Sequence, residues 1–221
     1  MRERKEKPIS MMTDVKINAE ACINAEYKIN ANERIDDLCR DNLKLIQNTD
    51  VFCFGMDAVL LSTFAKAGKN DKVLDLGTGN GIIPILMQAK NPGGMYTGLE
   101  IQDISFNLAA RNVSLNNLSD HVNMVQGDIK EASRIFGGAS FNVVTSNPPY
   151  MNENHGIVNP ESAKAIARHE LLCSLEDVVR EASKCLKVKG HMYMVNRQSR
   201  LVYIFTYMKK NHLEPKRIRL V

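Results

Sequence analysis

The chain has 221 residues, 44% of them hydrophobic and 24% charged, enough for one soluble globular domain with a sizeable core. A formal charge of +4 permits a nucleic-acid partner without demanding one. Five scattered cysteines (Cys22, Cys39, Cys53, Cys173, Cys185) without a C-x-x-C pair argue against a disulfide framework or a zinc site, and no apolar run approaches the ~18 residues of a membrane span. With no apolar stretch of the secretory type after the basic N-terminus, a cytoplasmic protein without metal or membrane is expected.

Residues 1–33 carry a loose six-residue repeat, KINAEA (16–21), CINAEY (22–27) and KINANE (28–33). Six residues fit neither a helical face nor a strand alternation, and three copies are too few for a solenoid. The expectation is a mobile or partly ordered arm, whose Arg2, Arg4, Lys5 and Lys7 either touch RNA phosphates or are simply solvated. The globular domain then covers residues 34–221.

Within it, Leu43–Gln47 reads as a short strand, and Phe52–Asp57 leads into a helix ending near Gly68, a plausible C-cap. Its apolar positions are Val59, Leu60, Phe64 and Ala67. A regular alternation follows: strands at Lys72–Leu76, Met95–Glu100, Val122–Gln126 and Phe141–Ser146, with helices at Gly81–Lys90, Asp103–Leu115 and near Ile129–Ile135. Ser174 and Asp177 form a capping-box pattern for a helix to Leu186, with Leu175, Val178, Val179, Ala182 and Leu186 on one stripe. His191–Val195 reads as a strand, Gln198–Asn211 as a helix and Arg217–Val221 as a last strand. This order predicts an α/β fold, a doubly wound, mostly parallel sheet covered on both faces.

Two stretches carry chemistry. The first strand ends in Asp75-Leu76-Gly77-Thr78-Gly79-Asn80-Gly81, a turn that lets a ligand approach the backbone. A nicotinamide site seldom needs a carboxylate beside its pyrophosphate, whereas a cofactor with a cationic amino group would welcome Asp75. Glu100 closes the next strand, placed to accept hydrogen bonds from ribose hydroxyls. Asp128 follows the third strand, placed either to reach an adenine edge or to cap the next short helix. The second stretch is Asn147-Pro148-Pro149-Tyr150, after the apolar strand FNVVTS. Its two prolines stiffen the chain and extend Asn147. The Asn147 side-chain oxygen and the Pro148 carbonyl suit a planar NH2 group, with Tyr150 stacking on its plane. The competing reading is a proline-bounded surface turn.

Together, DLGTGNG, the second-strand Glu100 and NPPY resemble the class I S-adenosylmethionine-dependent methyltransferases that modify exocyclic or amide nitrogens. With FGMDAVLLSTFA and Ala167-Arg168-His169-Glu170 added, the chain looks like the bacterial tRNA(Val) adenine-N(6) methyltransferase family, over roughly residues 43–221. That resemblance implies a Rossmann-like fold, S-adenosylmethionine as cofactor and tRNA as partner. It implies that Asp75, Gly77, Gly79 and Gly81 hold the methionine end, Glu100 the ribose, Asp128 the adenine, and Asn147, Pro148 and Tyr150 the target base. Asp57 lies in a lid beside the cofactor. Members usually continue into a further C-terminal strand, which this chain lacks. Edges left open that way invite pairing with another chain, so a monomer and an edge-paired dimer both stand.

The rivals are a protein glutamine methyltransferase acting on release factors, a guanine-specific rRNA methyltransferase, a nicotinamide-dependent oxidoreductase, and a binding module without catalysis. The first usually carries an N-terminal helical bundle and the second Phe in place of Tyr150. Asp75 and NPPY speak against the third, and Asn147 against the fourth. Beyond the pocket, Lys209, Lys210, Lys216, Arg217 and Arg219 form either a basic patch or a solvated face. His155 reads as an exposed loop residue, and Arg168 and His169 as phosphate grips or loop anchors.

Overall fold

The computed structural model describes residues 29–51, 53–148 and 173–221. Most of the proposed arm, Tyr150, His155 and the Ala167–Glu170 segment lie outside these. The first elements form a hairpin, β1 (Glu33–Asp37) antiparallel to β2 (Lys44–Asn48), and α1 follows (Met56–Phe64). The alternation then runs β3 (Lys72–Leu76), α2 (Ile82–Lys90), β4 (Met95–Glu100), α3 (Asp103–Leu115), β5 (Val122–Gln126), a 3-10 turn at Ile129–Glu131, α4 (Ala132–Phe136) and β6 (Phe141–Ser146). The last part comprises α5 (Leu175–Cys185), β7 (Leu186–Met194), a 3-10 turn at Gln198–Arg200 and α6 (Leu201–Lys210).

The main sheet has five parallel strands in the order β5-β4-β3-β6-β7. Side chains alternate across it, and so does the core. Val73 and Val143 join α1, α2, α3 and the hairpin on one face, while Leu74 and Val144 join α4 and α5 on the other. The order reverses between β3 and β6. In such sheets that reversal opens a crevice beyond the strands' carboxyl ends.

Local chemistry accounts for the helix ends. Ser174 caps α5 in a full capping box with Asp177, and Val178, Val179, Ala182 and Leu186 are buried as the stripe requires. The first helix departs from expectation, stopping at Phe64 rather than near Gly68. The cause is tertiary. The Lys90 ammonium donates to the carbonyls of Thr63 (2.8 Å) and Ala65 (2.9 Å), and the Asn91 amide to those of Ala67 (2.9 Å) and Gly68 (2.8 Å). Side chains from the end of α2 thus satisfy carbonyls that a glycine cap would otherwise serve. The buried face of α1 is Ala58, Leu61 and Ser62, with Val59 and Phe64 at its margin, and Ala65 is buried just beyond its end.

Two further expectations change. The strand read at His191–Val195 is the regular part of the longer β7. Leu186 pairs with Phe141 and His191 with Val143, so five residues of β7 face two steps of β6, and Lys189 turns through φ +65°. Arg217–Val221 forms no strand. Its alternation of Arg and apolar residues has the right period, but it pairs with no strand among the described residues, and Ile218, Leu220 and Val221 stay exposed.

Candidate active site

The crevice at the reversal is built from β3 and β6. Asp75 lies opposite Thr145 in the ladder and Leu76 opposite Ser146. The Thr145 hydroxyl donates to Asp75 Oδ1 (2.7 Å) and the Ser146 hydroxyl to the Leu76 carbonyl (2.9 Å), which locks the two strand ends together. Asp75 is 1% exposed. Burial pushes its pKa up to about 7; the Thr145 hydrogen bond opposes the shift and the nearby Glu100 charge adds to it.

The turn after β3 owes its shape to glycine. Gly77, Gly79 and Gly81 take φ of +72°, +59° and +84°, a region that disfavours other residues. At Gly81 a Cβ would lie 3.1 Å from Met124 Cε and 3.3 Å from Ala109 Cβ, so glycine is also needed for close packing. At Gly79 a Cβ would meet nothing within 4 Å, so that glycine borders open space. The Gly77 and Thr78 N–H groups donate to the Leu99 carbonyl (2.9 and 3.0 Å). Glu100, 6% exposed, accepts from Gly79 N–H at Oε2 (2.9 Å) and from Gln102 N–H at Oε1 (2.9 Å). Glu100 therefore fixes the turn as well as closing its strand, a role the sequence did not suggest.

This turn is a poor pyrophosphate cradle. Its first N–H groups are already bonded within the protein, and two buried carboxylates stand beside it. It fits a cationic ligand instead. Asp75 Oδ2 and Thr78 Oγ1 are buried and make no hydrogen bond of regular geometry; the Thr78 hydroxyl is near enough to Asp75 to oppose the rise in its pKa, and the two oxygens together offer acceptors for an ammonium-bearing group.

The other predicted residues fall around the same edge. Asp128 accepts from Lys130 N–H at Oδ1 (2.9 Å), with Lys130 Nζ 3.6 Å from its Oδ2; the capping alternative is thus realised. Asp57 is in the first turn of α1, after Gly55. Asn147 and Pro148 follow β6 directly and are half-buried. Among residues that the sequence reading missed, Thr145 and Ser146 were signalled only by two hydroxyls ending an apolar strand. Arg197 and Arg200 gave no signal but charge. The Val195 N–H donates to the Ser146 carbonyl (3.3 Å), which carries Arg197 and Arg200 to the edge beside Asn147.

The C-terminal basic residues are differently disposed. Lys210 pairs with Glu176, and the Arg217 guanidinium sits 5.5 Å from the Phe64 ring centre. A cavity of about 380 Å3 lined by Lys66, Met87, Lys90 and Asn91 lies at the far ends of α1 and α2, away from Asp75. Among the described residues no helix is long and apolar enough to cross a membrane, and no cluster of His, Cys, Asp and Glu is arranged to hold a metal.

A family model for the methyltransferase small domain matches residues 42–211. The chain belongs to that family. This methyltransferase is 29% identical over 184 residues to a Porphyromonas gingivalis protein named tRNA1(Val) (adenine(37)-N6)-methyltransferase, covering 74% of this chain and 71% of the relative. A protein of the same name from a Flavobacteriaceae bacterium is 26% identical over 150 residues, 67% of this chain and 61% of the relative. Among solved structures, a SAM-dependent methyltransferase from Agrobacterium tumefaciens superposes with a TM-score of 0.56 at 15% identity, over 83% of this chain and 59% of that one. A precorrin-6y C5,15-methyltransferase from Geobacter metallireducens GS-15 gives 0.54 at 11% identity, over 76% and 77%. These likenesses agree with the fold, α/β and Rossmann-like, as expected from the alternation of strands and helices.

Proposed function

We propose that this methyltransferase transfers a methyl group from S-adenosylmethionine to the exocyclic N6 amino group of an adenosine in tRNA, with the anticodon-loop adenosine of tRNA(Val) as target, in the cytoplasm. One observation carries the reading. A buried carboxylate, Asp75, one of whose oxygens makes no hydrogen bond of regular geometry, ends the strand next to the one that delivers Asn147 and Pro148. An acceptor for a cationic cofactor and a pair of acceptors for an amino group thus share one crevice. The names of the relatives supply the tRNA and the adenine.

S-adenosylmethionine supplies the electrophilic methyl. Ionised Asp75 holds the cationic amino end. Each oxygen of Glu100 already accepts one N–H, but a carboxylate has roughly four acceptor sites, so capacity remains for ribose hydroxyls. Asp128 keeps its adenine role beside its capping bond, and Asp57 its place in a lid. An adenine amino group is a poor nucleophile, because its lone pair is delocalised into the ring. By accepting both N–H groups, the Asn147 side-chain oxygen and the Pro148 carbonyl favour a pyramidal nitrogen aimed at the methyl. Catalysis is then positioning and electrostatics. No strong base is needed first, since the N–H becomes acidic as the new bond forms. Tyr150, assigned from the sequence, stacks on a base that leaves its loop at small cost. Arg197 and Arg200, in the turn after β7, are the cations proposed to meet RNA phosphates flanking that base.

The test is incubation of the full chain with labelled S-adenosylmethionine and unmodified total tRNA, followed by nucleoside analysis. Label in N6-methyladenosine is expected. Label on a release-factor glutamine but not on tRNA would overturn the substrate and keep the chemistry.

A further inference from the structure

Helix α3 treats the outer edge of β2 as though it were itself a strand. Asn116 Oδ1 accepts from Lys44 N–H (2.8 Å) and its Nδ2 donates to the Lys44 carbonyl (2.7 Å). One turn earlier Asn112 does the same for Ile46, accepting its N–H (2.6 Å) and donating to its carbonyl (3.0 Å). Beside them, Arg111 grips Glu33 of β1 with two bonds, at 2.7 and 2.9 Å. The N-terminal hairpin is therefore fastened to α3 by three side chains.

Asn116 Nδ2 also donates to the Asn112 carbonyl (2.8 Å), within the helix, whereas the further bond of Asn112 leads to the glycine turn. Asn112 Nδ2 donates to the carbonyl of Asn80 (3.0 Å), the residue between Gly79 and Gly81. Asn112 is 0% exposed, so its amide exchanges no bond with water. The connection continues on the far side. Gln47, next to Ile46, accepts the Phe54 N–H at its side-chain oxygen (3.1 Å). Phe54 opens the Phe54-Gly55-Met56-Asp57 segment at the start of α1. Two buried side-chain amides, Asn112 and Gln47, thus link the glycine turn through the Ile46–Gln47 backbone to the segment read as a lid.

We propose that Asn112 is a positioning residue for the cofactor. It holds the Asn80 carbonyl, and with it the turn at Gly79, in register with Phe54–Asp57, so that filling the turn steadies the lid segment. A buried primary amide suits this task, since it donates twice and accepts once from one planar group. The inference rests on the reading of the glycine turn as the cofactor site.

The experiment compares Asn112→Asp with Asn116→Asp in the full chain, using calorimetric binding of S-adenosylhomocysteine and thermal melting. Both changes are isosteric, and both set a carboxylate oxygen, buried at position 112 and half-buried at 116, against backbone carbonyls, so both lower the melting temperature. Asn112→Asp is expected to weaken binding by about tenfold or more, and Asn116→Asp by less than about twofold. In the unaltered chain, bound S-adenosylhomocysteine is expected to slow hydrogen exchange at the Ile46 and Phe54 amides and leave Lys44 nearly unchanged. Should the unaltered chain bind no S-adenosylhomocysteine, the cofactor reading falls and this inference with it. If it binds but Asn112→Asp matches it within about twofold, or Asn116→Asp is equally impaired, Asn112 merely fastens the hairpin. Where Asn112→Asp does not fold, the exchange measurement decides, and unaltered rates at Ile46 and Phe54 overturn the proposal.

Discussion

The two halves of the crevice are built differently, one as a glycine turn between a strand and a helix, the other as a strand running out into Asn147 and Pro148. On the β3–β4 side the turn is tied down at each step: Gly77 and Thr78 to the Leu99 carbonyl, Gly79 to Glu100, Asn80 to Asn112. On the β6–β7 side the strand ends are joined by Ser146 on the Leu76 carbonyl and Val195 on the Ser146 carbonyl. Asn147 and Pro148 come next, half-buried and beyond the ladder. The first half has the form of a rigid receptor for a ligand that must be gripped. The second presents groups to a substrate that arrives from outside. Damage to the first half should therefore show in cofactor affinity, and damage to the second in rate.

The largest expected effect lies in the second half. Asn147→Ala removes one preorganised acceptor from the target amino group, which typically costs about 100- to 1000-fold in turnover. Calorimetry should show unchanged S-adenosylmethionine affinity, and Asn147→Asp should keep part of the rate because a carboxylate oxygen still accepts an N–H. Parental turnover in Asn147→Ala would return the tetrapeptide to a plain surface turn.

Next in size is Glu100→Ala, in the first half. It removes hydrogen bonds to a charged group worth about 1.5–3 kcal/mol, roughly a 10- to 150-fold loss of cofactor affinity. Part of that loss comes from freeing the Gly79 N–H rather than from the ribose. Titration with adenosine and with the full cofactor separates the two contributions, because loss of the ribose contacts weakens both, whereas release of the turn at the methionine end weakens the full cofactor alone. A change in kcat at saturating cofactor, with affinity intact, would contradict the division between the halves.

Asp75 adds a pH signature to the same half. Its pKa is raised from 3.8 to about 7 by burial, so between those values the folded chain holds a proton that the unfolded chain has released. Stability of the ligand-free protein should accordingly fall as pH rises from about 4 toward about 7, and level off above. Binding of a cationic cofactor needs the ionised form, so affinity should rise about tenfold between pH 6 and pH 8. Asp75→Asn should flatten both profiles. A melting temperature that climbs over the lower range in the parent alone would mean that Asp75 is ionised throughout.

The sequence showed the sheet clearly because short stretches rich in apolar and β-branched residues alternate regularly with helical ones. Lys72–Leu76, Met95–Glu100, Val122–Gln126 and Phe141–Ser146 have the observed bounds. The chain's two ends were misread for one reason. Glu33–Asp37 is mostly charged, yet it forms a strand because β2 pairs with it and Arg111, 78 residues on, holds Glu33. Arg217–Val221 alternates as a strand should, yet it has no pairing neighbour among the described residues. Periodicity states which face a strand would bury and says nothing about whether a partner is there. The site divides similarly. Asp75 and Glu100 were legible from their places at strand ends. Thr145 and Asn112 were not, because they act across 70 residues to Asp75 and 66 to Ile46.

The smallest effect expected concerns the rim of the second half. Arg197 and Arg200 lie in the turn after β7, at the sheet edge where β6 runs into Asn147, and Lys209 and Lys210 end α6. If the two arginines meet tRNA phosphates, each contact contributes about 0.7–0.9 to the slope of log affinity against log salt. Arg197→Gln with Arg200→Gln should then lower that slope by between about 1 and 2, a several-fold loss of tRNA affinity at moderate salt. S-adenosylmethionine affinity should not change, since both residues follow β7, on the second half of the crevice. Lys209→Gln with Lys210→Gln is the matched comparison, equal in charge removed and placed on α6, with little change in slope expected. A slope altered by the lysine pair and not by the arginine pair would move the RNA surface to α6 and leave the second half of the crevice to the base alone.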